Sequence, residues 1–437
     1  MSSAAILPNP PLVHSAAESR PWLLPAHIGA VSLVQGTSMA VQALLPVIAK
    51  KELQANVWQV AIITAATTAL FCLSIFWNDL FSRMRVGRYM LIYWTICCMP
   101  LGLFGVLKMA GVTLSVWHLM GLHLFACLGL AGYHPAAGEL LRAFYPPHSR
   151  GRVYAIIWGV SLTFSAVCGF AIGKALERNP QAYEWLFPSA ALAQLAGVLS
   201  IITLAKVTGA DASRTLAKDS RRFYSRVLEP VTHMREVLRA DNTFFRYEAA
   251  YMTYGIGWMI VYVLMPNFGP DKLHTTYEQY AQSTHVAYLV AVIAMIYPAG
   301  LMLDKLGPMR STGLSFLMLT LYPLGLIFTN TVSMLTIMSV IYGLAHAGAS
   351  IGWMMGPVSL APSPDKVPQY VAIHATLVGV RGMLFQFVGV ALFWIASEVL
   401  HLSATWAFGI PFAIGAAGYL WSGVQMMQLS KKRPAAT

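Results

Sequence analysis

Apolar stretches alternate with short charged segments along most of this chain. A helix needs about 20 consecutive apolar residues to cross the hydrocarbon core of a bilayer. Twelve stretches meet this requirement, and we number them as spans 1 to 12: 26–49, 56–80, 89–110, 114–141, 152–175, 185–207, 244–268, 280–303, 309–330, 332–358, 370–397 and 403–428. The pattern predicts an all-α integral membrane protein with twelve transmembrane helices.

The polar turn between spans 8 and 9 has a counterpart between spans 2 and 3. The glycines and charges of the first turn are Gly300, Asp304, Lys305, Gly307 and Arg310. The counterpart contains Arg85, Gly87 and Arg88. Gly307 follows Gly87 by 220 residues, and the same offset aligns Pro266 with Pro46. A constant offset across several spans predicts two homologous six-helix halves, 25–207 and 244–428.

The turn between spans 8 and 9 resembles the signature loop of the major facilitator superfamily, Gly-x-x-x-Asp-Arg-x-Gly-Arg, with Lys305 in place of the arginine. The counterpart departs from that loop, because Leu80 replaces its glycine and Met84 replaces its aspartate. Asp79, at the end of span 2, is a candidate for the missing carboxylate. The resemblance implies a transporter that works by alternating access, with spans 1, 4, 7 and 10 around a central cavity. We expect the two turns to form a cytoplasmic gate, in which the Asp304 turn is a conformational latch.

The placement of the positive charges predicts the orientation. Charged residues make up 11% of the chain, and the net charge is +12. If both termini are cytoplasmic, the cytoplasmic segments hold 22 of the 29 lysines and arginines and the outer segments hold six. This asymmetry follows the positive-inside rule, by which cytoplasmic segments of membrane proteins carry an excess of lysine and arginine. The basicity therefore indicates orientation and contact with lipid headgroups rather than nucleic-acid binding, and the predicted location is a plasma, cytoplasmic or inner, membrane.

Three segments outside the spans are polar. We expect residues 1–24 to be a disordered cytoplasmic tail, 208–243 to be an amphipathic cytoplasmic linker between the halves, and 429–437 to be a basic cytoplasmic tail. The five cysteines all fall within predicted helices and form no Cys-x-x-Cys pair, so they are interpreted as packing residues.

Arg381 is the strongest candidate for a functional residue. It lies about 16 Å from the inner end of span 11, at a depth where an ionisable side chain is costly. The sequence predicts no carboxylate at this depth, because Glu248 is expected near the inner rim. An unpaired guanidinium favours an anionic substrate. The alternative is a structural arginine that backbone carbonyls, tyrosine hydroxyls or water satisfy. His374, two turns nearer the cytoplasm, could exchange a proton.

Other polar and aromatic side chains are also candidates for the substrate site. In span 7, a spacing of four places Tyr254, Trp258 and Tyr262 on one face of the helix. The remaining candidates are His346, His123 and Gln35. For each of them, packing within the helical bundle is the alternative to a functional role.

The chain contains none of the metal-protease, nucleophile-elbow or phosphate-loop motifs that would indicate an enzyme. We therefore predict a non-enzymatic secondary transporter of a small solute, without a cofactor and monomeric in the bilayer. Proton coupling and an anionic substrate are hypotheses at this point. The alternative is a protein of the same fold that does not transport, such as an assembly factor, a sensor or a lipid-handling protein. A dry, apolar interior would favour that alternative.

Overall fold

The computed structural model describes residues 20–145, 150–211, 234–363 and 366–432, and within these ranges the secondary structure is helical. The helices of the first half are Leu23–Glu52, Val57–Ala69, Ser74–Arg83, Val86–Cys97, Met99–Met109, Val116–Leu130, Tyr133–Phe144, Arg150–Arg178 and Tyr183–Val207. Those that follow are Met234–Ala240, Asn242–Tyr262, Tyr277–Leu306, Pro308–Leu319, Leu321–Ile327, Val332–Leu360, Val367–Trp394 and Ala404–Lys432.

Each of the twelve predicted spans coincides with one of these helices or with two consecutive ones. Among the described residues, eight helices are long and apolar enough to cross a membrane, and a ninth crossing results if one bent pair counts as a single span. That pair, Val86–Cys97 and Met99–Met109, forms span 3 and bends by 47°. Pro100 lies at the bend, where its missing N–H and its ring interrupt the helical hydrogen bonds.

Parts of the predicted tails and linker lie outside the described residues, namely 1–19, 212–233 and 433–437. Where the chain is described, the first helix begins at Leu23, inside the predicted 1–24 tail. The last helix continues to Lys432, inside the predicted 429–437 tail. The described part of the linker contains the short helix Met234–Ala240.

The two halves are joined at one end of the bundle, which we call the far end because it lies opposite Leu23 and Lys432. Here the Lys50 ammonium pairs with Asp271 at 2.9 Å. The Tyr277 hydroxyl donates to Glu52 at 2.8 Å, and the Tyr277 N–H donates to Glu177 at 3.0 Å. All of these contacts connect spans 1 and 5 of the first half with the segment between spans 7 and 8 of the second.

Two glycines of span 5 allow span 8 to approach closely at the same end. A Cβ at Gly173 would lie 2.6 Å from the Cβ of Ala281, and a Cβ at Gly169 would overlap the ring of His285. A Gly-x-x-x-Gly spacing of this kind is typical of membrane helices that pack closely. At mid-depth, the Gln386 amide donates to the Thr68 hydroxyl and joins span 11 to span 2.

We call the opposite end, which carries Leu23 and Lys432, the termini end. Three hydrogen bonds at this end each join one half to the tail or linker segment next to it, and none of the three connects the two halves. Arg20 donates to the Val207 carbonyl at 2.6 Å, and the Val86 N–H donates to Asp211 at 2.7 Å. In the second half, the Tyr370 hydroxyl donates to Asp241 at 3.0 Å.

Candidate functional site

Arg381 lies inside the second half, between spans 7 and 11, and only 4% of it is exposed. Its Nη1 donates to the Tyr251 carbonyl at 2.8 Å, and its guanidinium carbon lies 5.9 Å from the centre of the Tyr254 ring. The guanidinium rests on Gly255, where a Cβ would overlap it. Glycine at this position therefore creates the space that the cation occupies.

Among the described residues, no carboxylate forms an ion pair with Arg381, but one is buried on the neighbouring span 7. Glu248 is 2% exposed, and its two oxygens lie 2.9 and 3.0 Å from Nδ1 of His374. It also lies within electrostatic range of Arg381. In span 11 the arginine side chain extends back toward the start of its helix, so its charge lies nearer the termini end than its Cα does.

Glu248, His374 and Arg381 thus form one buried group, which we call the charge cluster. Two of its nitrogens, Nε2 of His374 and Nε of Arg381, have no hydrogen-bond partner among the described residues. The His374 ring is held edge-on by Tyr251, with centroids 4.9 Å apart, and by Trp353, at 5.6 Å. Buried nitrogens without partners are uncommon in folded proteins, so the cluster has unused capacity for a proton, water or ligand.

The three aromatic residues predicted to share a face of span 7 separate in the structure. Tyr254 is 3% exposed and stacks on Phe316, with centroids 4.1 Å apart, and its ring also lies 5.5 Å from that of Tyr419. It therefore belongs to the packing of the second half around spans 9 and 12, and it contributes to the site only through its contact with Arg381. The Trp258 and Tyr262 side chains do not join this packing and contact a different group of rings.

Trp258 and Tyr262 join three rings from spans 8 and 10, and we call these five side chains the aromatic wall. Its members are Trp258, Tyr262, Tyr288, Tyr342 and His346. The Trp258 indole N–H donates to the Tyr342 hydroxyl at 2.7 Å. The Tyr288 hydroxyl lies 2.9 Å from Nδ1 of His346. These bonds join span 10 to spans 7 and 8 and fix the orientation of the rings. His346 is thus placed beside Trp258, with ring centroids 5.7 Å apart.

The last two substrate candidates lie in the first half, away from Arg381. His123 is 2% exposed, and its Nε2 lies 3.0 Å from the Ile63 carbonyl and 3.5 Å from the Cys127 sulfur. It lines a small internal cavity together with Gln42 and Gln194. Gln35 is half-buried in a π-helical segment of span 1, Ser32–Gly36. The structure does not bring either residue to the charge cluster.

The turn between spans 8 and 9 has the backbone that its sequence predicts. Gly307 has φ +76° and ψ 163°, a region that only glycine populates readily. Asp304, Lys305 and Arg310 are exposed. Gly300 is half-buried, with nothing within 4 Å of where a Cβ would lie.

The turn between spans 2 and 3 is organised differently. Its carboxylate is Asp211, just after span 6, which accepts from the Val86 N–H through its side chain and from Arg85 through its carbonyl. The sequence analysis missed this residue, because it lies more than 120 positions away from the turn. Gly87 sits within the helix Val86–Cys97 rather than in the turn, and Arg88 is exposed. The side chain of Asp79 lies outside the described part of the structure.

A family model described as Major Facilitator Superfamily matches residues 26–385. The match covers most of the chain and both halves of the bundle. The chain belongs to the major facilitator superfamily. This confirms the predicted twelve-helix fold and makes this superfamily member an integral, multi-pass membrane protein.

Solved structures of several transporters have the same fold as this superfamily member. They include a POT-family peptide transporter in complex with alafosfalin, with 11% identity, 97% and 96% of the two chains covered and a TM-score of 0.73. The nucleoside transporter NupG has 12% identity, 93% and 99% coverage and a TM-score of 0.68. A bacterial homologue of the lysosomal transporter Spinster, inward-facing and unoccupied, has 14% identity, 94% and 95% coverage and a TM-score of 0.60.

One curated relative is similar in sequence over a short stretch. The inner membrane metabolite transport protein YgcS of Escherichia coli (strain K12) is 30% identical over 107 residues. The match covers 24% of this chain and 22% of that protein, so this chain matches about a fifth of the length of the relative.

Proposed function

We propose that this superfamily member is a secondary transporter that carries a small organic anion together with a proton. The observation that carries the proposal is the charge cluster of Glu248, His374 and Arg381, buried between spans 7 and 11. Ionisable groups at this depth are costly in a bilayer and are functional candidates for that reason.

The charges of the cluster couple the two ligands. With Glu248 ionised and His374 neutral, the negative charge of the carboxylate offsets the positive charge of Arg381. One added proton leaves a net positive charge in a buried place, and an anion beside Arg381 would neutralise it. Each ligand therefore favours the binding of the other, and by linkage the coupling is reciprocal.

The contacts between the halves support alternating access. Ion pairs and hydrogen bonds hold the halves together at the far end. The Asp304 turn at the termini end is exposed. If the positive charges have oriented the chain with both termini in the cytoplasm, the far end is the outer side and this state faces inward.

Proton coupling can be tested with purified protein in proteoliposomes that contain a pH-sensitive dye. We expect at least one anion among succinate, gluconate, phosphate and 3-phenylpropionate to drive proton entry beyond that into empty liposomes. Its affinity should rise about 5- to 150-fold as the pH falls. In Glu248→Gln, the pH dependence should flatten and most of the anion-driven proton movement should disappear.

The matched control is Glu398→Gln, which neutralises an exposed carboxylate near the far end. It should behave like the wild type. Equal proton movement in Glu248→Gln and the wild type would reject the assignment of the proton site. Failure of every anion to bind or move protons would instead favour a protein of this fold that does not transport.

The Asp304 turn gives a second prediction, that Asp304→Asn favours the state sealed at the far end. We expect Asp304 to join an ion-pair network at the termini end when that end closes, with Lys305 and Arg310 beside it. An exposed pair of this kind contributes about 0.2–1 kcal/mol, so the population should shift only about 1.4- to 5-fold. Transport should slow while the melting temperature stays unchanged. Labelling of single cysteines placed at each end measures the shift, and equal labelling with equal transport would contradict it.

A further inference from the structure

The aromatic wall lies next to the charge cluster on the same helix. Glu248, Gly255 and Tyr262 follow one another at intervals of seven residues along Asn242–Tyr262, and Trp258 lies on the same side. The Arg381 guanidinium covers Gly255. At 1.5 Å per residue, Trp258 begins about 5 Å beyond the guanidinium and Tyr262 about 10 Å beyond it. A positive group and a surface of aromatic rings therefore adjoin along one stripe.

Several polar atoms of the aromatic wall form hydrogen bonds with other members of the wall. Some of its ring faces are exposed. Tyr342 is enclosed by the rings of Tyr288 at 5.0 Å, Tyr322 at 4.6 Å and His346 at 5.1 Å. Trp258 is only half-buried, and Tyr262, at the end of the wall, is 37% exposed. Aromatic faces are thus available at the end of the wall that continues the stripe away from Arg381.

Aromatic faces bind either flat rings or cations, and the neighbouring charge decides between the two. A ligand cation over Trp258 would be repelled by Arg381 from about one helical turn away. An anionic group would instead meet the Arg381 Nε, which has no hydrogen-bond partner among the described residues. Charge complementarity therefore selects a ligand with a flat ring at one end and an anionic group at the other.

We propose that Arg381 and the aromatic wall together select organic anions that carry an aromatic ring, with the ring against Trp258 and Tyr262 and the anionic group at Arg381. This inference rests on the proposed function for the anionic character of the substrate. It adds the aromatic class and the separation of charge and ring, which is about one to two helical turns.

A pair of acids that differ only in the ring tests the inference. The pair is 3-phenylpropionate and 3-cyclohexylpropionate, which have the same charge and the same spacer, and thermal shift of the purified full-length protein reports binding. We expect the phenyl acid to bind about 2- to 12-fold more tightly, as for an aromatic pair beyond simple area burial. The cyclohexyl acid is the more apolar of the two, so hydrophobic partitioning predicts the opposite order.

Two variants show whether the preference arises at the wall. Trp258→Leu should abolish it, while Trp421→Leu, which removes a 61% exposed tryptophan from the last span, should preserve it. Since Trp258 also donates a hydrogen bond to Tyr342, its variant could fold poorly. Tyr262→Leu is the second test, with Tyr297→Leu, at a 73% exposed tyrosine of span 8, as its control.

Four outcomes of these experiments would overturn the inference. Equal affinity for the two acids, binding of neither acid, tighter binding of 3-phenylpropylamine, or an unchanged preference in both wall variants would each reject an aromatic-anion site. A different result tests the proposed function. If succinate or phosphate drives pH-dependent proton entry that Glu248→Gln abolishes, proton-coupled anion transport stands even though the aromatic specificity falls.

Discussion

Arg381→Gln is expected to lower the free energy of unfolding by an amount on the order of 3 kcal/mol. The arginine is 4% exposed, donates to the Tyr251 carbonyl and lies within electrostatic range of Glu248. Glutamine carries no positive charge, so the variant removes the cation that acts on the buried Glu248, whose contact with His374 is unchanged. Titration of the protein from mild detergent into a denaturing detergent measures the loss.

The double variant Arg381→Gln with Glu248→Gln separates charge balance from packing. It removes both charges together and should recover more than half of the lost stability, because an uncompensated buried charge is the main penalty in the single variant. No recovery would mean that the arginine stabilises the fold through its contacts with Gly255 and Tyr251 alone. Both results can be read without knowing the substrate.

Arg381→Lys then tests the anion site itself. Lysine keeps the positive charge, so the stability should stay closer to that of the wild type than in Arg381→Gln. The planar, bidentate donor geometry is lost, and anion affinity should fall. A well-folded Arg381→Lys protein with unchanged affinity for an anion would place the anion elsewhere.

Gly173→Leu is expected to prevent the far end from closing. Even a Cβ at this position lies 2.6 Å from the Ala281 Cβ and 3.2 Å from the Tyr277 carbonyl, so a leucine must push span 5 away from span 8. Overpacking of this kind costs about 1–3 kcal/mol, which shifts the closed population about 5- to 150-fold. Transport should be nearly lost, and spin labels at Leu53 and His274 should move apart in distance measurements.

The control for this variant is on the same helix. Gly159 has nothing within 4 Å of where its Cβ would lie, so Gly159→Leu should leave both transport and the label distances unchanged. If Gly173→Leu also leaves the distances unchanged, the sealed far end does not depend on the close contact of spans 5 and 8. Substrate binding provides a further check, since the charge cluster is not in contact with Gly173.

Local patterns in the sequence were sufficient to predict the fold. A bilayer fixes the length of an apolar helix, so the twelve spans could be located without any knowledge of packing. The repeat at 220 residues placed equivalent turns in the two halves. Gly307 could be assigned to a turn because glycine readily adopts the positive φ that such a turn needs. The structure has this φ at +76°. The spans and the turn each depend on a single residue or a short window of neighbours, and the repeat needs only a comparison of two such windows.

The sequence by itself determined the twelve spans, the two halves, the Asp304 turn and the identity of Arg381 and His374 as candidates. Only the tertiary structure decided their partners. Glu248 and His374 are 126 residues apart, and Arg381 and Tyr251 are 130 apart. Helix depth alone could not pair Glu248 with His374, because that contact depends on how spans 7 and 11 face each other. Helix packing and side-chain direction set such contacts, and hydrophobic periodicity encodes neither of them.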